Sequence, residues 1–189
     1  MLLYVIRHGE SETNLSKTWT GWNDVALTEK GRQDAAKAGE MLAGIAFDKI
    51  YSSDLGRAVH TAQIAVPGCS PEKTSLLREI NVGNLVGNPI DIVTAEERRH
   101  FAEIGYGERG GETREEMEQR IADFLQQVEK LDCNKVAAFA HAGWLRTMLD
   151  MVVGAFLPRE TVCCNNCTVA IFEYTGKIWR LHSWMNLTE

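Results

Sequence analysis

The chain has 189 residues, of which 44% are apolar and 24% charged, and these proportions predict one globular domain spanning residues 1–189. Its formal net charge of −6 disfavours a general affinity for nucleic acid or for an anionic membrane, because both would repel the protein. Any anionic substrate must therefore meet a local cluster of cations.

Five cysteines without framework spacing predict reduced thiols and a cytoplasmic protein. The spacing of Cys164 and Cys167 supplies only half of a zinc site, so no metal is predicted.

Three apolar runs along the chain are each followed by polar residues and then by a stretch with helical spacing. The predicted strands cover residues 2–6, 47–51 and 135–140, and the predicted helices cover residues 28–45, 54–66, 113–131 and 144–153. Thr113 and Glu116 form a capping box at the start of the third of these helices. Two alternating runs, 169–174 and 178–184, flank a turn and predict a final hairpin.

This order of elements predicts an α/β fold with three layers, α/β/α. Its sheet is mostly parallel, helices cover both faces, and the hairpin is an antiparallel addition.

The opening run Met1–Ile6 is too short for a signal peptide and lacks a basic flank, so it is interpreted as a strand. No apolar run approaches the ~20 residues of a membrane-spanning helix. In open sheets of this kind, ligands bind outside the carboxyl ends of the strands.

Cationic side chains follow each of the three predicted strands at its carboxyl end. Arg7 and His8 follow the first strand, Arg57 lies shortly after the second, and His141 follows the third. Taken singly, an arginine at a strand end is usually a solvated surface charge, and a histidine is usually structural. Four of them at one edge, with a helix starting after Gly143, favour a phosphate site.

The segments around these residues resemble the histidine phosphatase superfamily, in its phosphoglycerate-mutase-like branch. The first block is RHGESETN at residues 7–14 with TGWNDVALTEKG at residues 20–31. The second is SSDLGRAVHTA at residues 52–62, and the third is HAGWLR at residues 141–146. The blocks run in the order of the family and span nearly the whole chain, whereas a bare Arg-His-Gly would be common by chance.

The resemblance implies that His8 is a nucleophile that attacks phosphorus and carries a transient phosphoryl group. It implies that the phosphoryl oxygens are bound by Arg7, Arg57 and His141. It assigns substrate binding to Asn14, Thr20, Gly21, Ala142 and Gly143. It makes Glu79 the general acid and later the base toward water. It implies no metal and no other cofactor, since preorganised cations stabilise the charge that spreads over the phosphoryl oxygens.

The segment after Glu79 bears on the choice between phosphatase and mutase. GNLVG at residues 83–87 departs from the Trp-Glu-Gly that is usual in the family, and this departure concerns the loop rather than Glu79. About thirty residues separate Glu79 from Gly110, too few for the longer insertion of cofactor-dependent phosphoglycerate mutases. The paired Arg98 and Arg99 lie in a predicted helix face. Residues 85–108 are expected to line the leaving-group side.

The sequence therefore favours a metal-independent phosphomonoesterase that acts on a small phosphorylated metabolite, similar to the compact phosphatases of alpha-ribazole phosphate. A cofactor-dependent phosphoglycerate mutase is the alternative. A non-catalytic module that binds phospho-ligands is less favoured, because none of the chemical residues is missing. Trp19, Trp22 and Trp144 each neighbour a motif, and either wall the pocket or pack in the core. The sequence is compatible with a homodimer and with a monomer.

Overall fold

The computed structural model describes residues 1–187, so residues 188–189 of the predicted domain lie outside the described residues. Within this range the strands are β1 Leu2–Arg7, β2 Lys49–Ser53, β3 Glu72–Thr74, β4 Lys135–Ala140, β5 Val169–Tyr174 and β6 Trp179–Met185. The α-helices are α1 Glu12–Leu15, α2 Glu29–Met41, α3 Gly56–Ala65, α4 Ala95–Ile104, α5 Arg114–Glu129 and α6 Ala142–Val153. Four short 3₁₀ turns lie between β3 and α5.

All the described strands belong to one sheet, in the order β3-β2-β4-β1-β5-β6. The pairs β3–β2, β2–β4 and β4–β1 are parallel. The pairs β1–β5 and β5–β6 are antiparallel, with an irregularity in register between Ile171 and Phe172. The prediction of an α/β fold with a mostly parallel sheet and a final antiparallel hairpin is therefore confirmed.

Helices cover both faces of the sheet, as the layered prediction requires. On β1, Leu3 and Val5 join a cluster with the apolar stripe of α5 and with α6, while Tyr4 and Ile6 point to the other face. The second face packs against residues of α3 and the end of α2. The stripe on α5 consists of the predicted residues Met117, Ile121, Phe124, Leu125 and Val128, all of them buried. A strand buried on both faces explains the continuous apolar run of β1.

Several boundaries differ from the predicted ones. The strand β2 spans Lys49–Ser53 rather than 47–51, because Ser52 pairs with Phe139 of β4 and Ser53 pairs with Thr74 of β3. These serines therefore lie in the sheet and not in the loop after it. The helix α2 ends at Met41 rather than at residue 45, since the chain turns through Gly44, whose φ is +77°.

The helix α3 spans Gly56–Ala65 rather than 54–66, and further differences concern short or polar elements. The strand β3 was not predicted, because its three residues Glu72–Thr74 lie at the edge of the sheet and show no apolar alternation. The helix α6 begins two residues earlier than predicted, at Ala142, since His141 is extended and occupies the N-cap position. The helix α4 contains the charged run that was interpreted as a helix face. The capping box of Thr113 and Glu116 is confirmed.

Candidate active site

The two histidines of the predicted site meet where two adjacent strands end. The strands β1 and β4 are parallel neighbours, and Arg7 at the end of β1 pairs with Ala140 at the end of β4. The residues that follow them, His8 and His141, therefore lie side by side. Their ring centroids are 5.0 Å apart, with 59° between the ring planes. Arg57 reaches the same place from the first turn of α3, which follows β2. The parallel sheet therefore brings together residues that are far apart in sequence.

The hydrogen bonding of His8 leaves one ring nitrogen free to react. Its Nδ1 donates to the carbonyl oxygen of Gly9 at 2.7 Å, and a carbonyl only accepts, so the proton lies on Nδ1. The pKa of His8 lies well below its ordinary value, mainly because the ring is buried and further because Arg57 and Arg7 carry positive charge nearby. The neutral ring thus has a lone pair on Nε2.

The cationic side chains are held by backbone carbonyls rather than by carboxylates. Arg57, which is 1% exposed, donates from Nη1 to the carbonyl of Asn23 at 2.8 Å and from Nη2 to that of Gly21 at 2.9 Å. Arg7 donates from Nη1 to the carbonyl of Cys164 at 2.5 Å. Burial lowers the pKa of Arg57 to about 10, so this guanidinium stays charged at neutral pH. Both arginines keep their charge available for a ligand.

Several buried nitrogen atoms around this point have no hydrogen-bond partner among the described residues. They are Nε of Arg7, Nε of Arg57, Nε1 of Trp19 and both ring nitrogens of His141. His141 is fully buried, and its pKa is lowered by burial first and by the charge of Arg57 second. Leaving a buried donor without an acceptor costs about 1–3 kcal/mol. A ligand rich in oxygen acceptors, such as a phosphoryl group, would satisfy these atoms.

The structure also places the five residues predicted to bind substrate. Asn14 and Thr20 line the cavity beside His8. The Oδ1 atom of Asn14 accepts from Ser11 and from Asn166, both at 3.1 Å, which leaves its NH₂ group to donate toward a ligand. Gly21 acts through its carbonyl, which holds Arg57. Ala142 and Gly143 also line the cavity, as the first two residues of α6. The N-terminus of that helix favours a negative charge.

Glu79 lies at the wall of this cavity and is held by backbone groups. Its carboxylate accepts from the N–H of Gly143 at 3.2 Å and from its own neighbour Ile80 at 2.9 Å. Its carbonyl oxygen accepts from Nε1 of Trp22 at 2.6 Å. Any side chain at residue 143 would collide with this carboxylate, so Gly143 has a steric reason to be glycine. The donor at Gly143 therefore positions Glu79 and does not face a ligand directly.

Two ion pairs that the sequence analysis missed fix the segment that carries Glu79. Arg120 binds Glu112 through two hydrogen bonds of 2.8 Å and also donates to the carbonyls of Leu76 and Arg78 at 2.9 and 2.8 Å. Arg78 binds Asp54 through two further hydrogen bonds of 2.7 and 2.6 Å, which lower the pKa of this carboxyl. Each pair joins different elements, so no local pattern could have revealed it.

The cavity extends from the histidines toward a second group of residues. Its volume is about 170 Å³. From the segment 85–108 that was expected there, Ile90 and Tyr106 contribute to the lining. Arg146 of α6 and Arg159 of the following loop line it as well, and neither was predicted. This end of the cavity is therefore both cationic and partly apolar.

The three tryptophans near the motifs have three different roles. Trp19 is buried and lines the cavity, so it is a wall of the pocket. Trp22 is 38% exposed and donates to the carbonyl of Glu79. Trp144 is fully buried in the core, and its Nε1 donates to the carbonyl of Leu76 at 2.9 Å. Only the first of these matches the pocket interpretation.

The cysteines and the remaining polar residues show no metal centre within residues 1–187. No group of three or more His, Cys, Asp or Glu side chains in that range is placed to hold a metal ion. All five cysteines are free thiols. Burial raises the pKa of Cys164, and it raises the pKa of Cys167 to about 12. In the same range, no helix is long and apolar enough to cross a membrane.

A neutral histidine with a free nitrogen beside two arginines, at the carboxyl edge of the parallel strands of an α/β protein, is an arrangement suited to binding a phosphoryl group. Residues 3–187 match the family described as the histidine phosphatase superfamily (branch 1). The chain therefore belongs to that superfamily, and the resemblance inferred from the motifs is confirmed.

Known proteins of similar sequence and structure agree with this assignment. A protein named "Probable phosphoglycerate mutase GpmB" from Salmonella choleraesuis (strain SC-B67) is 30% identical over 193 residues, covering 97% of this chain and 89% of that protein. The structure of Bacillus stearothermophilus YhfR has a TM-score of 0.84 at 29% identity and covers 96% of this chain and 95% of its own. That of phosphoglycerate mutase from Thermus thermophilus has a TM-score of 0.79 at 26% identity, with full coverage of both chains.

The two buried histidines predict how stability depends on pH. Both pKa values lie well below the ordinary value, so below about pH 6.5 the unfolded chain takes up protons that the folded protein does not. The free energy of unfolding should therefore decrease as the pH falls, by up to about 1.4 kcal/mol per pH unit for each histidine. Urea denaturation at about pH 7 and about pH 5.5 measures the change.

Variants separate the histidines from the carboxylates that also titrate on acidification. His8→Asn and His141→Asn should each lose less stability than wild type between the two pH values. His60→Asn is the control, because His60 is exposed on α3 and its removal should leave the difference unchanged. An identical loss in wild type and both site variants would contradict the prediction.

Proposed function

We propose that this protein is a phosphoric monoester hydrolase that works through a phosphohistidine at His8, without a metal, on a small phosphorylated metabolite. The observation that carries the proposal is the free Nε2 of a neutral His8 beside buried donors that lack an acceptor. A nucleophile and a set of oxyanion donors at one point are what phosphoryl transfer requires.

In the first step, Nε2 of His8 attacks phosphorus and the bond from phosphorus to the ester oxygen breaks. Protonated Glu79 gives its proton to the leaving oxygen, so the alcohol departs neutral. The charge on the phosphoryl oxygens is met by Arg7, Arg57 and His141, which supports a reaction without a metal. Their fixed positions mean that little reorganisation is needed at the moment of transfer.

In the second step, a water molecule attacks the phosphorus of the phosphohistidine. The carboxylate of Glu79, now deprotonated, takes a proton from this water while the bond between nitrogen and phosphorus breaks. Inorganic phosphate leaves, and both His8 and Glu79 return to their starting states. The position of Glu79, fixed by Gly143 and Ile80 on the wall of the same cavity, supports its use in both steps.

A phosphoglycerate mutase is the second candidate, and the leaving-group end of the cavity favours it more than the sequence does. In the sequence, the segment after Glu79 is too short for the insertion of cofactor-dependent mutases, and its paired Arg98 and Arg99 lie in a helix face. Arg146 and Arg159 supply two cations to the cavity from elsewhere in the chain. Isomerisation instead of hydrolysis would result if the phosphoryl group of the phosphohistidine passed to a different hydroxyl of the retained alcohol, with cleavage of the bond between nitrogen and phosphorus, before water could attack.

Two assays test the proposal and separate the candidates. Purified protein should release phosphate from p-nitrophenyl phosphate, and a chelator such as EDTA should leave the rate unchanged. With 3-phosphoglycerate and its bisphosphate primer, phosphate release should exceed formation of 2-phosphoglycerate. Isomerisation faster than phosphate release would establish the mutase. Loss of all turnover in EDTA would contradict the metal-free mechanism, and no turnover of any ester would overturn the enzyme proposal.

A further inference from the structure

We propose that Arg146 and Arg159 form a second anion subsite, so that the preferred substrates carry a carboxylate or a second phosphate on the leaving group. This inference rests on the proposed function, since it concerns the group that leaves when His8 is phosphorylated. It names the class of substrate that the site selects.

Both arginines border the same cavity as the phosphoryl site. Arg146 comes four residues after Ala142 on α6, so the two lie on the same side of that helix and about 6 Å apart along its axis. Arg159 reaches the cavity from the loop after α6. An anion held by these two residues would lie in the same cavity as the transferred phosphoryl group.

Neither the half-buried Arg146 nor the exposed Arg159 has a carboxylate partner, whereas several other arginines of the described chain do. Arg78, Arg114 and Arg120 each bind a carboxylate within 3 Å. Among residues 1–187, no Asp or Glu oxygen lies within 4.0 Å of the guanidinium of Arg146 or Arg159. The pair adds two positive charges to the cavity, and the nearest acidic influence on Arg146, from Asp150, lies beyond ion-pair distance. An anionic ligand would supply the missing charge.

The environment of Arg146 makes this charge costly when the cavity is empty. Its side chain is half-buried, and burial lowers its pKa, with the positive charge of Arg159 adding to the effect. A guanidinium that is partly desolvated and close to a like charge gains more from an anion than an exposed one does. The pair therefore favours binding of an anionic group over a neutral alcohol.

Contacts to the protein fix the position of both arginines. Arg146 donates from Nη1 to the backbone carbonyl of Arg159 at 3.1 Å, so one arginine holds the loop that carries the other. The start of this loop is tied down by Asp150, whose carboxylate accepts from the N–H of Leu157 at 3.1 Å. The guanidinium of Arg159 lies 3.5 Å from the hydroxyl of Tyr106, whose ring is buried. Arg146 is thus anchored on α6, and the exposed Arg159 is held by contacts of its backbone carbonyl and of its guanidinium.

Phosphate esters fall into two classes with respect to this subsite. Phosphorylated hydroxy acids and bisphosphates would place a second anion at the pair. Esters of neutral alcohols, alpha-ribazole phosphate among them, would leave both guanidinium groups unpaired. The apolar wall formed by Ile80, Val82 and Ile90 contacts the carbon skeleton in either class.

A comparison of two esters with the same carbon skeleton tests the subsite. 3-Phosphoglycerate carries a carboxylate where glycerol 3-phosphate carries a hydroxymethyl group. Arg159→Gln should lower kcat/KM for 3-phosphoglycerate by about 10- to 100-fold, the range expected for a charged hydrogen bond, and change the value for glycerol 3-phosphate by less than about 3-fold. Turnover is counted as hydrolysis plus isomerisation. For a second phosphate, the same comparison is made between the kcat/KM values for fructose 1,6-bisphosphate and for fructose 6-phosphate.

Two further variants make the result specific. Arg146→Gln should show the same selective loss, although it also removes the bond to the carbonyl of Arg159. Arg32→Gln removes an equal charge from the exposed side of α2 and should leave both esters unchanged. Equal losses on both esters in Arg159→Gln, or a wild type that prefers the neutral leaving groups, would overturn the subsite.

Turnover of p-nitrophenyl phosphate separates this failure from failure of the proposed function. If wild type hydrolyses this ester and His8→Ala does not, the hydrolase proposal stands whatever the arginine variants show. If neither the aryl ester nor any ester of the panel is turned over, the proposed function and the subsite fall together.

Discussion

Replacing His8 with alanine is expected to abolish turnover of phosphate esters, with a loss of about 10⁴-fold or more. The buried ring offers Nε2 to phosphorus because Nδ1 is engaged by Gly9, and alanine provides no atom that could form the covalent intermediate. Steady-state hydrolysis of p-nitrophenyl phosphate measures the loss. Quenching in alkali followed by mass spectrometry should find one phosphoryl group on the peptide that contains His8 in wild type and none in the variant.

Two other variants control for folding and for the choice of histidine. His8→Asn keeps a polar side chain of similar size, so it should fold and still be inactive. His60→Ala should keep full activity, because His60 is exposed on α3. Substantial activity in both His8 variants, or a phosphoryl group on another residue, would contradict the assignment of the nucleophile.

The parts of the site that could be predicted are those tied to strand ends. An apolar run followed by a polar residue marks the carboxyl end of a strand, and parallel strands bring such ends to one edge. His8 and His141 are therefore predicted to lie together, and they are adjacent in the structure at the ends of β1 and β4. The same pattern predicts Arg57 at this edge, because it lies shortly after the second strand. The strand β2 nevertheless ends two residues later than its apolar pattern indicates.

The parts that could not be predicted depend on contacts between distant segments. Arg120 supports the segment of Glu79 across 41 positions of sequence, and neither residue carries a local mark of this contact. Arg159 lies in a loop that has no apolar periodicity, so nothing in its neighbours indicates a cavity. Side-chain direction in such segments is decided by tertiary packing, which the order of residues reveals only through the finished fold.

The distribution of charge makes the proposed binding of anionic esters compatible with an acidic protein. The ion pairs of Arg78 and Arg120 with carboxylates are used to fix the segment of Glu79. Arg7 and Arg57 are held by carbonyl oxygens instead, which position a guanidinium without cancelling its charge. The net charge of −6 is thus compatible with a locally positive cavity.

Replacing Glu79 with glutamine is expected to affect substrates according to their leaving groups. An alkyl alkoxide needs a proton to depart, so hydrolysis of glycerol 3-phosphate should fall by about 10²- to 10⁴-fold. p-Nitrophenolate departs without a proton, so phosphorylation of His8 by p-nitrophenyl phosphate should continue. The second step still needs a base that takes a proton from the attacking water, and glutamine cannot act as that base. Stopped-flow absorbance should therefore show a burst of about one equivalent of p-nitrophenol, followed by slow turnover.

The position of Glu79 allows this prediction to be distinguished from a structural effect. Glutamine retains an oxygen that can accept from Gly143 or Ile80, so the segment should keep its conformation. Glu29→Gln, on the exposed side of α2, is the control for charge and should behave as wild type. Gly143→Ala should reproduce the pattern in milder form, since its Cβ displaces the carboxylate. If Glu79→Gln reduced aryl and alkyl esters equally and gave no burst, Glu79 would act in binding and would not transfer the proton.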